Sequence, residues 1–162
     1  MFRVKILRLI VLIFILINLA IHRDSKLEER KHTKYFTIHK SAEAHRADIE
    51  KAHKYWTEKT GIKFIEKYKP FKTVKIFASK IKDTSQEITV GIYIINKHII
   101  IYDQLNFYAI ILHEIGHSIG LEHNNNKNDV MYPTTESIGE LTETCLQELK
   151  EIQQQKNYIL FY

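Results

Sequence analysis

Residues 113–123 read His-Glu-Ile-Gly-His-Ser-Ile-Gly-Leu-Glu-His, and three imidazoles, the first of two carboxylates and two glycines stand there in an order that metal chemistry explains. Four residues of α-helix rotate the chain by ~400°, so His113 and His117 project from one face, one turn apart. Imidazoles so placed can each bring a nitrogen ~2.0–2.1 Å from a single zinc ion. Glu114 stands ~100° round the helix from His113, near such an ion but aimed at whatever the ion binds. His123 cannot join them on a continuous helix, because six further residues advance the chain ~9 Å along the axis. The chain has to reverse, and Gly120 sits where a left-handed residue would allow it. Gly116 costs ~0.5–1 kcal/mol relative to alanine in mid-helix, which implies a close neighbour there.

A bare His-Glu-x-x-His is a weak signal. Adding Gly120 and His123 fixes five positions at ~1 in 20 each, about one accidental match in 20,000 chains of this length. Three neutral imidazoles leave zinc an open fourth position, the pattern of catalytic rather than structural sites. The bland alternative is three histidines merely satisfied within a helix. Cys145 is the single cysteine, so neither an intrachain disulfide nor a cysteine-based zinc site can form. The remaining histidines, His22, His32, His39, His45, His53 and His98, lack ligand spacing. His45 and His53 lie two helical turns apart, too far to share an ion, and surface or capping roles are expected for all six.

The eleven-residue block resembles the zinc signature of the metzincin peptidases. Downstream, Val130-Met131-Tyr132-Pro133 is similar to the Met-turn, in the form used by the matrixins, the matrix metalloprotease family. Astacins typically place tyrosine two residues after the methionine, so the spacing argues against them. Ala52 to Phe64 is similar to the matrixin first helix and second strand. The resemblance implies an α+β, zincin-like domain: a twisted mixed sheet of about five strands, a first helix, an active-site helix, a Met-turn and a C-terminal helix.

It also implies a zinc-dependent endopeptidase. His113, His117 and His123 would hold the metal, and Glu114 would act as general base towards a zinc-activated water. Met131 would form the floor beneath the ion. Strand 89–95 would be the upper rim of a cleft in which an extended polypeptide pairs with it. Pro133 to Thr135 would wall the pocket for the residue after the cut, and Ala109, one turn before His113, would set its depth.

Several positions depart from the family. Nothing resembling its cysteine switch precedes the domain, residues 22–32 are too few for a latency segment, and Cys145 is expected in the core of the last helix. The loop 81–88 lacks the histidines and most acidic ligands of the family's structural zinc and calcium sites, leaving Asp83 and Glu87 as a poor calcium site. One catalytic zinc is therefore expected, without structural zinc or calcium. Asn124 stands where matrixins commonly carry serine. Two other readings are an exported zinc-binding or interaction module without turnover, against which the intact Glu114 speaks, and a deformylase-like enzyme. Deformylases take a cysteine as third ligand, and Cys145 is in the wrong place for that.

The elements needed to position these residues are legible in the patterning. Tyr35 to Ile38 reads as a strand. Ser41 can cap a helix to about Lys59, with Ile49, Ala52 and Trp56 on one face and Gly61 as the stop. Strands follow at Ile62 to Tyr68 and Val74 to Ala78. Two more, Thr89 to Ile95 and His98 to Tyr102, are joined by a tight turn at Asn96-Lys97. Leu105 to Ile119 is helical and carries the motif. A loop then runs to about Ser137, before a last helix with Leu146, Leu149 and Ile152 inward.

At 162 residues the chain accommodates one compact domain. Its net charge of +5 is spread among carboxylates outside the first eight residues, with no dense basic block, so a solvated mixed-charge surface is expected rather than a nucleic-acid patch. Arg3, Lys5 and Arg8 precede an apolar run over 9–21, the layout of a secretory signal. The run spans ~20 Å as helix, but recruiting residues 4–21, with Lys5 and Arg8 snorkelling, would make a membrane anchor. The expected organisation is a signal peptide or signal anchor at 1–21, a charged tether at 22–32 and a catalytic domain at 33–162. The product would be secreted or membrane-anchored with its domain outside the cytoplasm, and monomeric.

Overall fold

The computed structural model describes residues 11–23, 25, 32–79, 91–94, 97–102, 106–134 and 139–158. It divides into two compact units, residues 1–33 and 34–162. In the first, residues 11–23 form helix α1, where Asn18 Nδ2 donates to the Phe14 carbonyl at 2.7 Å. Among the described residues no helix is long and apolar enough to cross a membrane.

The second unit holds strand β1 (Thr33–Ile38, which begins at the boundary), a 3-10 helix (Lys40–His45), α2 (Arg46–Thr60), β2 (Lys63–Glu66), β3 (Thr73–Ala78), β4 (Gly91–Ile94), β5 (His98–Ile101), α3 (Phe107–Ile119) and α4 (Glu143–Tyr158). The strands make one sheet in the order β2-β1-β3-β5-β4. β3 runs parallel to both β1 and β5, while β4 is antiparallel to β5 and forms an edge. This is the mixed five-stranded sheet expected.

Register explains which residues make the core. Phe36 pairs with Val74, Ile76 with Ile99 and Ala78 with Ile101, so alternate side chains of three strands share one face. That face meets Ile49, Ala52 and Trp56 of α2, all fully buried as their helical spacing requires, and Ile110, Ile111 and Ile115 of α3. The whole buried cluster lies between Phe36 and Leu149, so this unit contains its own core.

Three expectations need correction. Ser41 does not cap α2. A turn of 3-10 helix intervenes, capped by the His39 ring, which accepts from the Ser41 N–H at 3.2 Å. The Ser41 hydroxyl instead accepts from the Ala78 N–H at the end of β3, a main-chain donor the sheet leaves unpaired. His53 is neither at the surface nor a cap. It falls one turn after Ile49 on the inward face of α2, and its ring lies between Phe36 and Phe64, at 3.9 and 4.6 Å. Burial pushes its pKa down to about 3, so it packs as a neutral ring. β2 stops at Glu66 rather than Tyr68, where the chain turns off to reach β3. The rim strand is described over Gly91–Ile94 alone; its expected ends and the loop 81–88 with Asp83 and Glu87 lie outside the described residues.

Two glycines set how closely α3 can approach its neighbours. A Cβ on Gly91 would collide with Ile110 and stand 2.8 Å from Glu114 Oε1, so β4 can lie against α3 only without one. A Cβ on Gly116 would run into Met131 Sδ and stand 3.1 Å from Trp56 Cζ2. This is the close neighbour that the mid-helix glycine implied. Gly116→Ala gains helix propensity but overpacks a core contact, which typically costs about 1–3 kcal/mol. Its melting temperature is expected to fall by several degrees; an unchanged or higher value in thermal denaturation would show that the contact can relax.

Candidate metal centre

The motif lies on α3, whose segment from Ile110 to Gly116 is buried. α3 ends at Gly120, which takes φ 112°. Its N–H donates to the His117 carbonyl, and the Leu121 N–H donates to the Gly116 carbonyl. This paired closure is the Schellman arrangement, and it reverses the chain so that His123 returns towards α3.

The reversal brings three ring nitrogens together. His113 Nε2 lies 3.0 Å from His117 Nε2, and His123 Nε2 lies 3.1 Å from each. The opposite nitrogens identify the tautomers. His113 Nδ1 stands 2.8 Å from the Val130 carbonyl, and His117 Nδ1 stands 2.8 Å from the Leu121 carbonyl. A carbonyl only accepts, so both Nδ1 atoms carry the proton and both Nε2 atoms present lone pairs. Two lone pairs facing each other at 3.0 Å repel unless a cation stands between them.

The separations approach the ~3.3 Å edge of a tetrahedron with 2.0–2.1 Å bonds, so the three side chains fit one zinc ion. Burial pushes His113 down to about 4 and, with the neighbouring His117, lowers His123, which keeps both neutral and able to donate an electron pair. Among the described residues this is the one cluster of three metal-ligating side chains within reach of one another.

Glu114 is buried beside the triad on the side of β4. Burial pushes its carboxyl up to about 7, against the Tyr93 main-chain hydrogen bond, which favours the charged form. Its Oε2 is fully buried with no hydrogen-bond partner. Met131 is fully buried and touches α3 at Gly116. Ala109 is half-buried on α3, one turn before His113, and Pro133 is exposed beyond the Met-turn. Thr135 lies outside the described residues.

Sequence reasoning missed two groups that hold this arrangement. The first is Trp56, whose Nε1–H donates to the Leu112 carbonyl at 2.8 Å and ties α2 to α3 immediately before His113. The second is Asp129, almost wholly buried. Its Oδ1 accepts from the Met131 N–H at 2.7 Å and from Cys145 Sγ at 3.3 Å; its Oδ2 accepts from the Thr142 N–H at 3.1 Å and from the Thr142 hydroxyl. One carboxylate thus fastens the Met-turn to the start of α4.

Cys145 is buried in α4, as expected of a core residue, and burial with the nearby Asp129 pushes its thiol up to about 12. Asn124 bridges the same region. Its N–H donates to the Met131 carbonyl, and its side chain reaches Cys145 Sγ at 3.1 Å. An aspartate two residues before the turn methionine was the available signal, but nothing local marks it as buried.

Residues 84–155 match the matrixin family model. An inferred matrix metalloproteinase of Trichoplusia ni ascovirus 2c is 58% identical over 31 residues, 19% of this chain and 6% of that protein. Rat macrophage metalloelastase is 52% identical over 29 residues, 18% of this chain and 6% of the relative. Human matrix metalloproteinase-26 is 52% identical over 29 residues, 18% of this chain and 11% of the relative. The matched stretches therefore span a small fraction of each relative's own length.

Zinc added to the metal-free protein should raise its melting temperature, by ~2.7 kcal/mol of stability at a hundredfold excess over Kd. His113→Ala should abolish that rise, and a rise of equal size in the variant would place the metal elsewhere. Burial pushes the Asp129 pKa up, but its hydrogen bonds from Thr142, Met131, Asn124 and Cys145 outweigh this and leave it below the ordinary carboxylate value. A group depressed in the folded state contributes stability above its unfolded pKa of ~3.9, and that contribution fades as pH falls through the folded value. Asp129→Ala should cost about 3 kcal/mol at pH 7, and its deficit should shrink below pH 4 in denaturant titrations; a constant deficit would assign the cost to packing.

Residues 84–155, less than half of the chain, are similar to the matrixins, and the five-stranded mixed sheet, the motif helix turned back at Gly120 and the buried methionine turn are consistent with a matrixin-like metzincin fold.

Proposed function

We propose that this protein is a zinc-dependent endopeptidase, with His113, His117 and His123 as metal ligands and Glu114 as general base. The observation that carries the reading is the convergence of three Nε2 atoms at 3.0–3.1 Å, beside a buried carboxylate with one unpartnered oxygen. The names of the matched relatives support a peptidase, and the matrixin match supports zinc as the ion. Zinc, when bound, supplies Lewis-acid charge at the scissile carbonyl and acidifies a water beside it.

The chain's own residues do the rest. Val130 and Leu121 orient the His113 and His117 rings through their Nδ1 atoms, which fixes where the electron pairs point. Glu114 takes the proton of the attacking water through Oε2 and delivers it to the departing amine nitrogen. Tyr93, through its main-chain N–H, keeps the other side of that carboxylate anchored to β4.

β4 is an edge strand, with Ile92 and Ile94 exposed. Such an edge offers main-chain groups to an extended polypeptide, so that affinity comes from backbone pairing and selectivity from side-chain pockets. Ala109, Pro133 and Thr135 are proposed to line the pocket for the residue after the cut, with Met131 under the ion. The domain acts outside the cytoplasm as a monomer, released or held by residues 4–21.

Glu114→Gln is expected to keep zinc and lose roughly 10²–10⁴ in rate on a quenched fluorescent peptide library. Cleavage by the wild type should stop with a chelator and return with zinc. Zinc binding without cleavage of any peptide would instead support a binding module, and full activity in Glu114→Gln would remove that residue from the chemistry.

A further inference from the structure

The link from β2 to β3, residues 67–72 (Lys-Tyr-Lys-Pro-Phe-Lys), carries the most exposed of the large apolar side chains described. Phe71 is 99% exposed, and it is the one non-glycine residue with positive φ, 61°, among the described residues. Left-handed backbone is sterically unfavourable for a bulky L residue, and glycine or asparagine would make the same turn more easily. The fold spends strain to hold an aromatic ring in water, and nothing inside the fold uses that ring. Single exposed apolar residues are ordinary on protein surfaces, but Phe71 has company: Tyr68 is 63% exposed and Ile65 is 41% exposed.

Charge sharpens the picture. Residues 63–75 contain five lysines, Lys63, Lys67, Lys69, Lys72 and Lys75, and one carboxylate, Glu66. Arg46 already holds Glu66, at 2.7 and 3.2 Å. Among the described residues no carboxylate pairs with Lys67, Lys69 or Lys72; Lys69 Nζ lies 5.5 Å from the centre of the Tyr35 ring. The loop is also braced. The Lys67 N–H donates to the Phe36 carbonyl, the Lys72 N–H to the Lys69 carbonyl, and the Thr73 hydroxyl to the Lys69 carbonyl at 2.8 Å. The ring and the cations are therefore displayed together, with their main chain already ordered before any partner arrives.

We propose that this loop docks the domain onto an anionic phospholipid bilayer, with Phe71 and Tyr68 entering the interfacial layer and Lys67, Lys69 and Lys72 over the headgroups. Aromatic rings favour that layer, and each lysine near an anionic surface is worth about fivefold in partitioning. Three lysines together then give about a hundredfold, and partial burial of the Phe71 ring about tenfold more. A soluble polyanion would engage the lysines equally well, but it has no apolar phase to receive Phe71.

The test is co-sedimentation of residues 32–162, which contain the whole buried core, with vesicles of phosphatidylcholine alone or mixed with phosphatidylserine. The wild type should bind the mixed vesicles and leave the neutral ones. Phe71→Ser should bind about tenfold more weakly, and Lys67→Ala, Lys69→Ala and Lys72→Ala combined about a hundredfold more weakly, at unchanged melting temperature. Phe71→Gly, which removes the ring and the strain together, should raise the melting temperature yet lose the same tenfold. Failure of the wild type to bind the mixed vesicles would overturn the proposal. So would undiminished binding by both Phe71 variants, which would make the loop a polyanion site instead.

Discussion

Like lone pairs repel, and the centre of this domain turns two of them on each other with a third imidazole nitrogen beside them. His113, His117 and His123 converge their Nε2 atoms because the other side of the two helix imidazoles is held fast. The carbonyls that hold them come from two turns. Leu121 belongs to the reversal after α3, and Val130 to the segment entering the Met-turn. Each turn must keep its shape for a ring to keep its direction. The demands on the second half of the domain follow from that requirement.

The two turns are secured by different means. The first is local: Gly120 adopts a left-handed conformation, and two main-chain hydrogen bonds close the helix end over it. The second is long-range. Asp129 accepts hydrogen bonds from Met131, Thr142 and Cys145, and the Val130 N–H donates to the Glu140 carbonyl. Tyr55 of α2 accepts from the Leu141 N–H, so α4 begins where α2 allows it. A buried carboxylate with this many donors tolerates burial because its lone pairs are used, and it transmits the position of α4 to the turn that carries Met131.

The glycines of the site act by absence of a side chain. Gly116 lets Met131 and Trp56 reach the back of α3, while Gly91 lets β4 lie against Ile110 and Glu114. Glu114 consequently sits between its own helix and the edge strand, in a place dry enough to raise its pKa. The same edge strand that confines the carboxylate leaves Ile92 and Ile94 facing outward. One approach distance thus sets both the environment of the carboxylate and the wall of any cleft beside it.

Residues whose roles are local were legible in the sequence. The phases of His113 and His117, the stops at Gly61 and Gly120, and the inward face formed by Ile49, Ala52 and Trp56 all follow from helical rotation and the freedom of glycine. The strand set was legible too, because alternation survives in β3 and β5. Tertiary structure decided what depends on distant partners. The choice of Val130 as the carbonyl behind His113 spans 17 residues, and the Trp56 bond to Leu112 spans 56. The burial of Asp129, the enclosure of His53 between two phenylalanines and the use of Ser41 by Ala78 rather than by α2 belong to the same class. Sequence spacing fixes torsions and faces within one element; which donor meets which acceptor is settled only when separate elements pack.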